Sequence, residues 1–170
     1  EPDRSSPAAV RRELEKILGR NIAFDELPEE IRDYDLFLAN RLNARTVLGM
    51  SMQYRAAADP PERKLPKPVT AAIHKSPGAL PYDAQIPRAV TATVALPLLL
   101  ERAPSGSLDI TPDYDGVVRR MPVISILEDK VYATLALRSL MAATGRNNLI
   151  LQSGPDGLFA VRSGNFTIPV

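Results

Sequence analysis

Near the start of the chain, Val10, Leu14, Ile17 and Leu18 recur at i, i+4, i+7 and i+8, the spacing of one apolar stripe on a helix. Arg11, Arg12, Glu13, Glu15 and Lys16 fall on the opposite face. Ser6 suits the N-cap, Pro7 the first turn and Gly19 the stop. A second helix is predicted over residues 34–43, capped by Asp33 and carrying Tyr34, Phe37, Leu38 and Leu42. The period then changes. Residues 46–52, TVLGMSM, form a short continuous apolar run that reads as a buried strand. A helix feeding such a strand is an α/β signal.

Residues 57–88 interrupt this pattern with Pro60, Pro61, Pro66, Pro68, Pro77, Pro81 and Pro87. Proline lacks a backbone donor and is excluded from interior sheet. The expectation is an extended surface excursion with one short strand over 69–73. Loops of this length are uncommon in compact domains unless functional or held by a partner. A strand is expected over 89–94, then a short helix opened by Pro97. Asp113, Asp115 and Gly116 mark a turn. Residues 117–127 carry a strand pattern broken by Arg119, Arg120 and Pro122, and Glu128, Asp129 and Lys130 turn it into a helix over 133–144. Leu135, Ala136, Leu140, Met141 and Ala143 make that helix apolar, and Gly145 closes it. Residues 149–152 and 158–161 read as a hairpin across 154–157, and residues 166–170 as a last strand. The reading is an α/β fold: a mixed central sheet flanked by helices, with a long proline-rich surface excursion, in one domain over 1–170.

With 21 Lys+Arg against 20 Asp+Glu, the formal charge is +1. No basic field of the kind nucleic acid requires is present. Cysteine is absent, which removes disulfides, thiolate metal sites and thiol nucleophiles together. The lone histidine, His74, has no ligand spacing around it and reads as a solvent-exposed residue. No Gly-rich phosphate loop or nucleophile elbow occurs, so neither cofactor nor metal is called for and catalysis is not expected. A single D-x-D lacks the ligand count of a calcium loop.

The candidate binding residues are Asp113, Asp115, Arg119 and Arg120. On a strand Arg119 and Arg120 point to opposite faces. Two readings stay open: a structural ion pair with the Asp turn, or a cleft arginine that grips a carboxylate or phosphate bidentately.

The stretch from Asp113 to Pro122, DYDGVVRRMP, is followed by an apolar strand, a charged turn and the LAL-containing helix. It resembles the second CHASE family, the cyclase- and histidine-kinase-associated sensory extracellular domains. The opening EPDRSSP, the DYD at 33–35 and the VLG at 47–49 are similar to that family's other segments. The resemblance implies a sensory domain held outside the bacterial inner membrane, in the periplasm. Its parent is anchored in the membrane and carries an adenylate or guanylate cyclase, histidine kinase or Ser/Thr kinase output. The partner is then an unknown small ligand or periplasmic protein, with a homodimer possible, and the chain is a piece of a longer protein. The alternative is a structural or dimerisation module with no ligand of its own.

Overall fold

A computed structural model describes residues 5–23, 32–55, 64–83, 85–110, 114–119 and 121–170. The start of the EPDRSSP run, part of the proline-rich segment, Asp113 and Arg120 lie outside the described residues.

Local signals set the helices. Helix α1 (Pro7–Leu18) opens where the Ser6 hydroxyl accepts from the Ala9 N–H at 3.3 Å. It closes at Gly19, whose φ of 64° lets its N–H reach the Glu15 carbonyl at 2.9 Å. Helix α2 (Tyr34–Arg41) is capped by Asp33, whose carboxylate accepts from the Leu36 N–H at 3.1 Å. The Arg41 guanidinium sits 4.2 Å from the Phe37 ring centre, a cation–π contact one turn apart.

The strands form three small mixed sheets, the α/β class the pattern predicts, with the expected central sheet divided. Two of the three share their pairings around a ring. Strand β1 (Leu48–Gln53) lies between β4 (Thr91–Thr93), antiparallel, and β5 (Ser105–Ser107), parallel. Ser107 of β5 makes a parallel bridge to Thr134, the residue after β7 (Lys130–Ala133). Strand β7 pairs antiparallel with β6 (Ile124–Leu127), and β6 pairs parallel with β3 (Arg88–Ala89). Only Val90 separates β3 from β4, and its N–H bonds the Gln53 carbonyl at 2.8 Å. Met50, Met52, Ala92, Leu127 and Tyr132 pack together as this ring's core. The β6–β7 hairpin turns on Glu128 and Asp129, both at positive φ (50° and 57°), the backbone a two-residue I′ turn demands.

The third sheet runs β10 (Phe166–Pro169), β9 (Gly157–Ser163), β8 (Asn148–Gly154), β2 (Thr70–Lys75). The β8–β9 hairpin is the expected one, extended at both ends. The short strand expected over 69–73 within the proline-rich segment forms as β2. It pairs with β8 in parallel from Thr70↔Asn148 to Lys75↔Ser153, and Val69 and Ile86 beside it enter the main core. The prolines still obey their constraint: Pro66, Pro68 and Pro77 flank β2, and β2 is an edge strand. The strand expected over 117–127 is also shorter. Only β6 forms, because Pro122 offers no donor and Arg119 folds back onto Asp115.

Helix α3 (Pro97–Leu100) begins with Pro97 as expected. Helix α4 (Leu135–Thr144) ends at Gly145 with φ 66°. Its buried residues are Leu137, Arg138 and Met141; Ala136 and Ala143, expected inside, face out. Leu137 and Met141 join Ile124, Ile126, Val131, Leu149, Leu151 and Val161 in the main core. Full burial of each large side chain contributes about 1.5–3 kcal/mol.

Helix α4 rests directly on β5. A Cβ placed on Gly106 would stand 2.6 Å from the Leu135 Cα and 3.0 Å from the Arg138 Cβ. Gly106→Ala should therefore cost about 1–3 kcal/mol, since backbone must move. At Gly49, paired across from Gly106, the added Cβ meets only the end of the half-exposed Leu108 side chain. Gly49→Ala should stay within about 0.5 kcal/mol of wild type. Chemical denaturation of the two variants checks the contrast, and equal losses would contradict the packing described.

Candidate functional site

Asp115 and Arg119 meet on the surface. The Arg119 guanidinium donates to both carboxylate oxygens of Asp115 at 2.9 and 2.7 Å, and the Val117 N–H adds a third bond at 3.1 Å. This is the bidentate ion pair of the first alternative. Both side chains remain substantially solvated, Arg119 at 53 % and Asp115 at 34 % exposure. The Arg119 hydrogen bond, then the Val117 N–H, hold the Asp115 carboxyl below its ordinary pKa. Asp113 and Arg120, the other two candidates, lie outside the described residues. His74 is exposed on β2, as expected.

Another arrangement suited to binding lies elsewhere among the described residues. A cavity of about 340 Å³ opens between α3, the loop after it and the C-terminal end of α4. That volume falls within the range of small-ligand pockets. Leu100, Ala103, Pro104, Met141 and Ala142 supply its apolar wall. Its charged lining is unbalanced: Lys67, Arg102, Arg138 and Arg146 against Glu101 alone. Glu101 is already engaged, with the Lys64 ammonium at 2.6 Å. That hydrogen bond, with the charges of Arg102 and Lys67 beyond it, lowers the Glu101 pKa.

Arg138 is the unusual member. It is 8 % exposed, and burial alone pulls its guanidinium below the ordinary pKa. Arginine nevertheless stays charged in proteins. Its one hydrogen bond is a long one, 3.4 Å to the Asn147 side-chain oxygen. No carboxylate among the described residues lies within ion-pair distance of it. A buried charge normally comes paired. Its place follows from the sequence: one position after Leu137 and three before Met141, it sits inside the helix's buried stripe. A cation within an apolar helical stripe is the signal that could have pointed here, and it was not used. Lys67, Arg102 and Arg146, exposed and far apart in sequence, carry no such signal.

A second polar group closes the β1–β5 ladder. Asp109 accepts from the hydroxyls of Ser51 (2.8 Å) and Ser107 (2.7 Å) and from the Met52 N–H (2.5 Å). The Met52 donor that β5 no longer reaches is thereby satisfied. Nearby, the Tyr54 hydroxyl meets the Ser125 hydroxyl at 3.1 Å. Burial, chiefly, raises the Tyr54 pKa, so it is a neutral hydrogen-bonding group. Both arrangements are satisfied internally and read as structural.

Among the described residues no cluster of His, Asp or Glu could hold a metal ion, and no helix is long and apolar enough to cross a membrane. No family model, curated protein or solved structure matches the chain. The resemblance to the second CHASE family therefore rests on its motifs.

Two outcomes follow. Replacing an unpaired buried charge by an apolar side chain of similar length removes a desolvation penalty. Arg138→Met should thus raise the melting temperature, and a clear fall would mark Arg138 as structural support. For Asp115 the folded pKa lies below the unfolded value, so its contribution is present above about pH 4 and is lost as pH falls through the folded pKa. The small stability gap between wild type and Asp115→Asn should accordingly narrow as pH falls below the ordinary carboxylate range in thermal melts taken across pH; a gap unchanged with pH would exclude the pairing.

Proposed function

We propose that the chain is the sensory domain of a bacterial membrane-bound signalling protein, placed on the periplasmic side of the inner membrane. It binds a ligand without transforming it, and its parent's cyclase or kinase output reports that binding. The observation that carries the reading is the Arg138 cavity: a concave, partly apolar site with a buried charge awaiting a partner. Nothing in its lining suggests catalysis. It holds no histidine, no hydroxyl nucleophile and only one carboxylate, which is ion-paired. The motif resemblance supplies the cellular setting. A sensor works only where its ligand binds two arrangements unequally. The cavity sits where α3, α4 and the loop after α3 meet, so a ligand there touches three elements at once.

A second reading, an assembly module, is favoured by one feature. On α1, Val10, Ile17 and Leu18 are 42 %, 70 % and 52 % exposed, and none of its residues is buried. An apolar stripe left in water is the mark of a partnered helix.

A thermal-shift panel of amino acids, sugars, divalent cations and organic acids separates the two. Under sensing, at least one class raises the melting temperature by about 5–10 °C when present at about a hundredfold over its Kd. Under assembly, no compound shifts the melt, and Ile17→Glu converts a dimer to a monomer in sedimentation.

A further inference from the structure

We propose that the Arg138 cavity is a receptor for a small organic oxyanion carrying at least two negative charges, seated with one oxyanion group on the Arg138 fork. The inference rests on the sensory reading and names its ligand class. A guanidinium presents its donors in a planar fork that matches a carboxylate or a phosphoryl group edge-on. Asn147 takes one of those donors, and the remainder have no acceptor among the described residues. None of them is both enclosed and unpartnered, so they are open to the cavity rather than sealed in the core.

The backbone acceptors nearest the cavity do not supply the missing partner. The Ala142 carbonyl is taken by the Gly145 N–H at 3.3 Å, and the Met141 carbonyl by the Arg146 N–H at 2.9 Å. The Thr144 hydroxyl adds a bond to the Leu140 carbonyl at 2.8 Å. The negative end of α4 is thus largely engaged in its own closure, and the cations dominate the cavity's field.

The charge count sets the valence of the ligand. Binding one monoanion at Arg138 leaves Lys67, Arg102 and Arg146 facing each other across the same space, with Glu101 bound to Lys64. A second negative group on the ligand relieves that repulsion; a neutral or cationic ligand increases the desolvation of Arg138 without compensating it. The size agrees. A cavity of 340 Å³ lies at the small end of ligand pockets, the size of a short dicarboxylate or a small phosphate ester. The apolar wall of Leu100, Ala103, Pro104 and Met141 suits a short carbon backbone between the charged ends. Because the rim cations are exposed, they are screened by salt while Arg138 is not, so added salt weakens binding without abolishing it.

Isothermal titration of the chain with succinate, inorganic phosphate, acetate and succinamide tests this. Succinate or phosphate should bind, acetate at least about tenfold more weakly, and succinamide not detectably. Whichever of the first two binds more tightly tells whether a carboxylate or a phosphoryl source is intended. Arg138→Met should lower the affinity at least ~30-fold, the loss expected on removing one side of a buried charge pair. Arg138→Lys, which keeps the charge but not the fork, should recover only part. Should either Arg138 variant fail to fold, the exposed Arg102→Gln gives a second readout, a several-fold loss that shrinks as salt rises. The proposal is overturned if neither succinate nor phosphate binds the folded chain, or if their affinity is the same in Arg138→Met and Arg102→Gln as in wild type. The sensory reading stands apart from that result: a sugar, an amino acid or a divalent cation that stabilises the chain while both anions fail leaves a sensor with a different ligand.

Discussion

The close approach of β5 to helix α4, permitted only because residue 106 lacks a side chain, is the constraint on which the rest of this structure depends. A Cβ there would fall 2.6 Å from the backbone of Leu135. With glycine in place, α4 lies flat on the strand and turns Leu137 and Met141 into the main core. The same strand closes the ring of pairings through the Ser107–Thr134 bridge. One missing methyl group therefore links the ring, the helix and the four-stranded sheet beyond it.

That seating also decides where Arg138 goes. Its Cβ stands 3.0 Å from the position a Gly106 Cβ would take, so the side chain starts against the strand. It extends toward α3 and the loop after it, and its charged head lines the cavity there. A fold that gained nothing from this charge would do better with methionine or leucine at the position, since an uncompensated buried ion is destabilising. The contrast with Arg119 is instructive. Arg119 grips Asp115 through two hydrogen bonds in the open, where such pairs are screened and weak. Arg88 likewise bridges Asp83 and Asp129 on the surface. Arg88 and Arg119 thus have carboxylates in the open, while the buried Arg138 has none among the described residues.

Much of this architecture was legible in the sequence wherever the deciding physics is local. Ser6, Pro7, Gly19, Asp33, Pro97 and Gly145 each act within one helical turn, and each does what its chemistry predicts. The β8–β9 hairpin is equally local. What was not legible has a different cause. The short strand over 69–73 was expected, but its place at a sheet edge depends on pairing with β8, more than seventy residues downstream. The strand pattern over 117–127 gives a paired strand only at Ile124–Leu127 among the described residues. The DYDGVVRRMP stretch attracted the site assignment because its charges are adjacent in sequence, whereas the cavity's cations come together from residues 67 to 146 through tertiary packing. Arg138 alone left a local trace, a cation inside an apolar stripe.

The account turns on whether the buried guanidinium is the receiving group. The most direct measurement is the arginine Nε–Hε region of a ¹⁵N-resolved NMR spectrum, with the Arg138 signal assigned by its loss in Arg138→Met and followed during titration with succinate and with phosphate. The account predicts that one of these anions moves the Arg138 signal and slows its exchange with water, while the Arg119 signal on the exposed turn stays in place. An Arg138 signal unmoved by either anion, while the fold is intact, would contradict it.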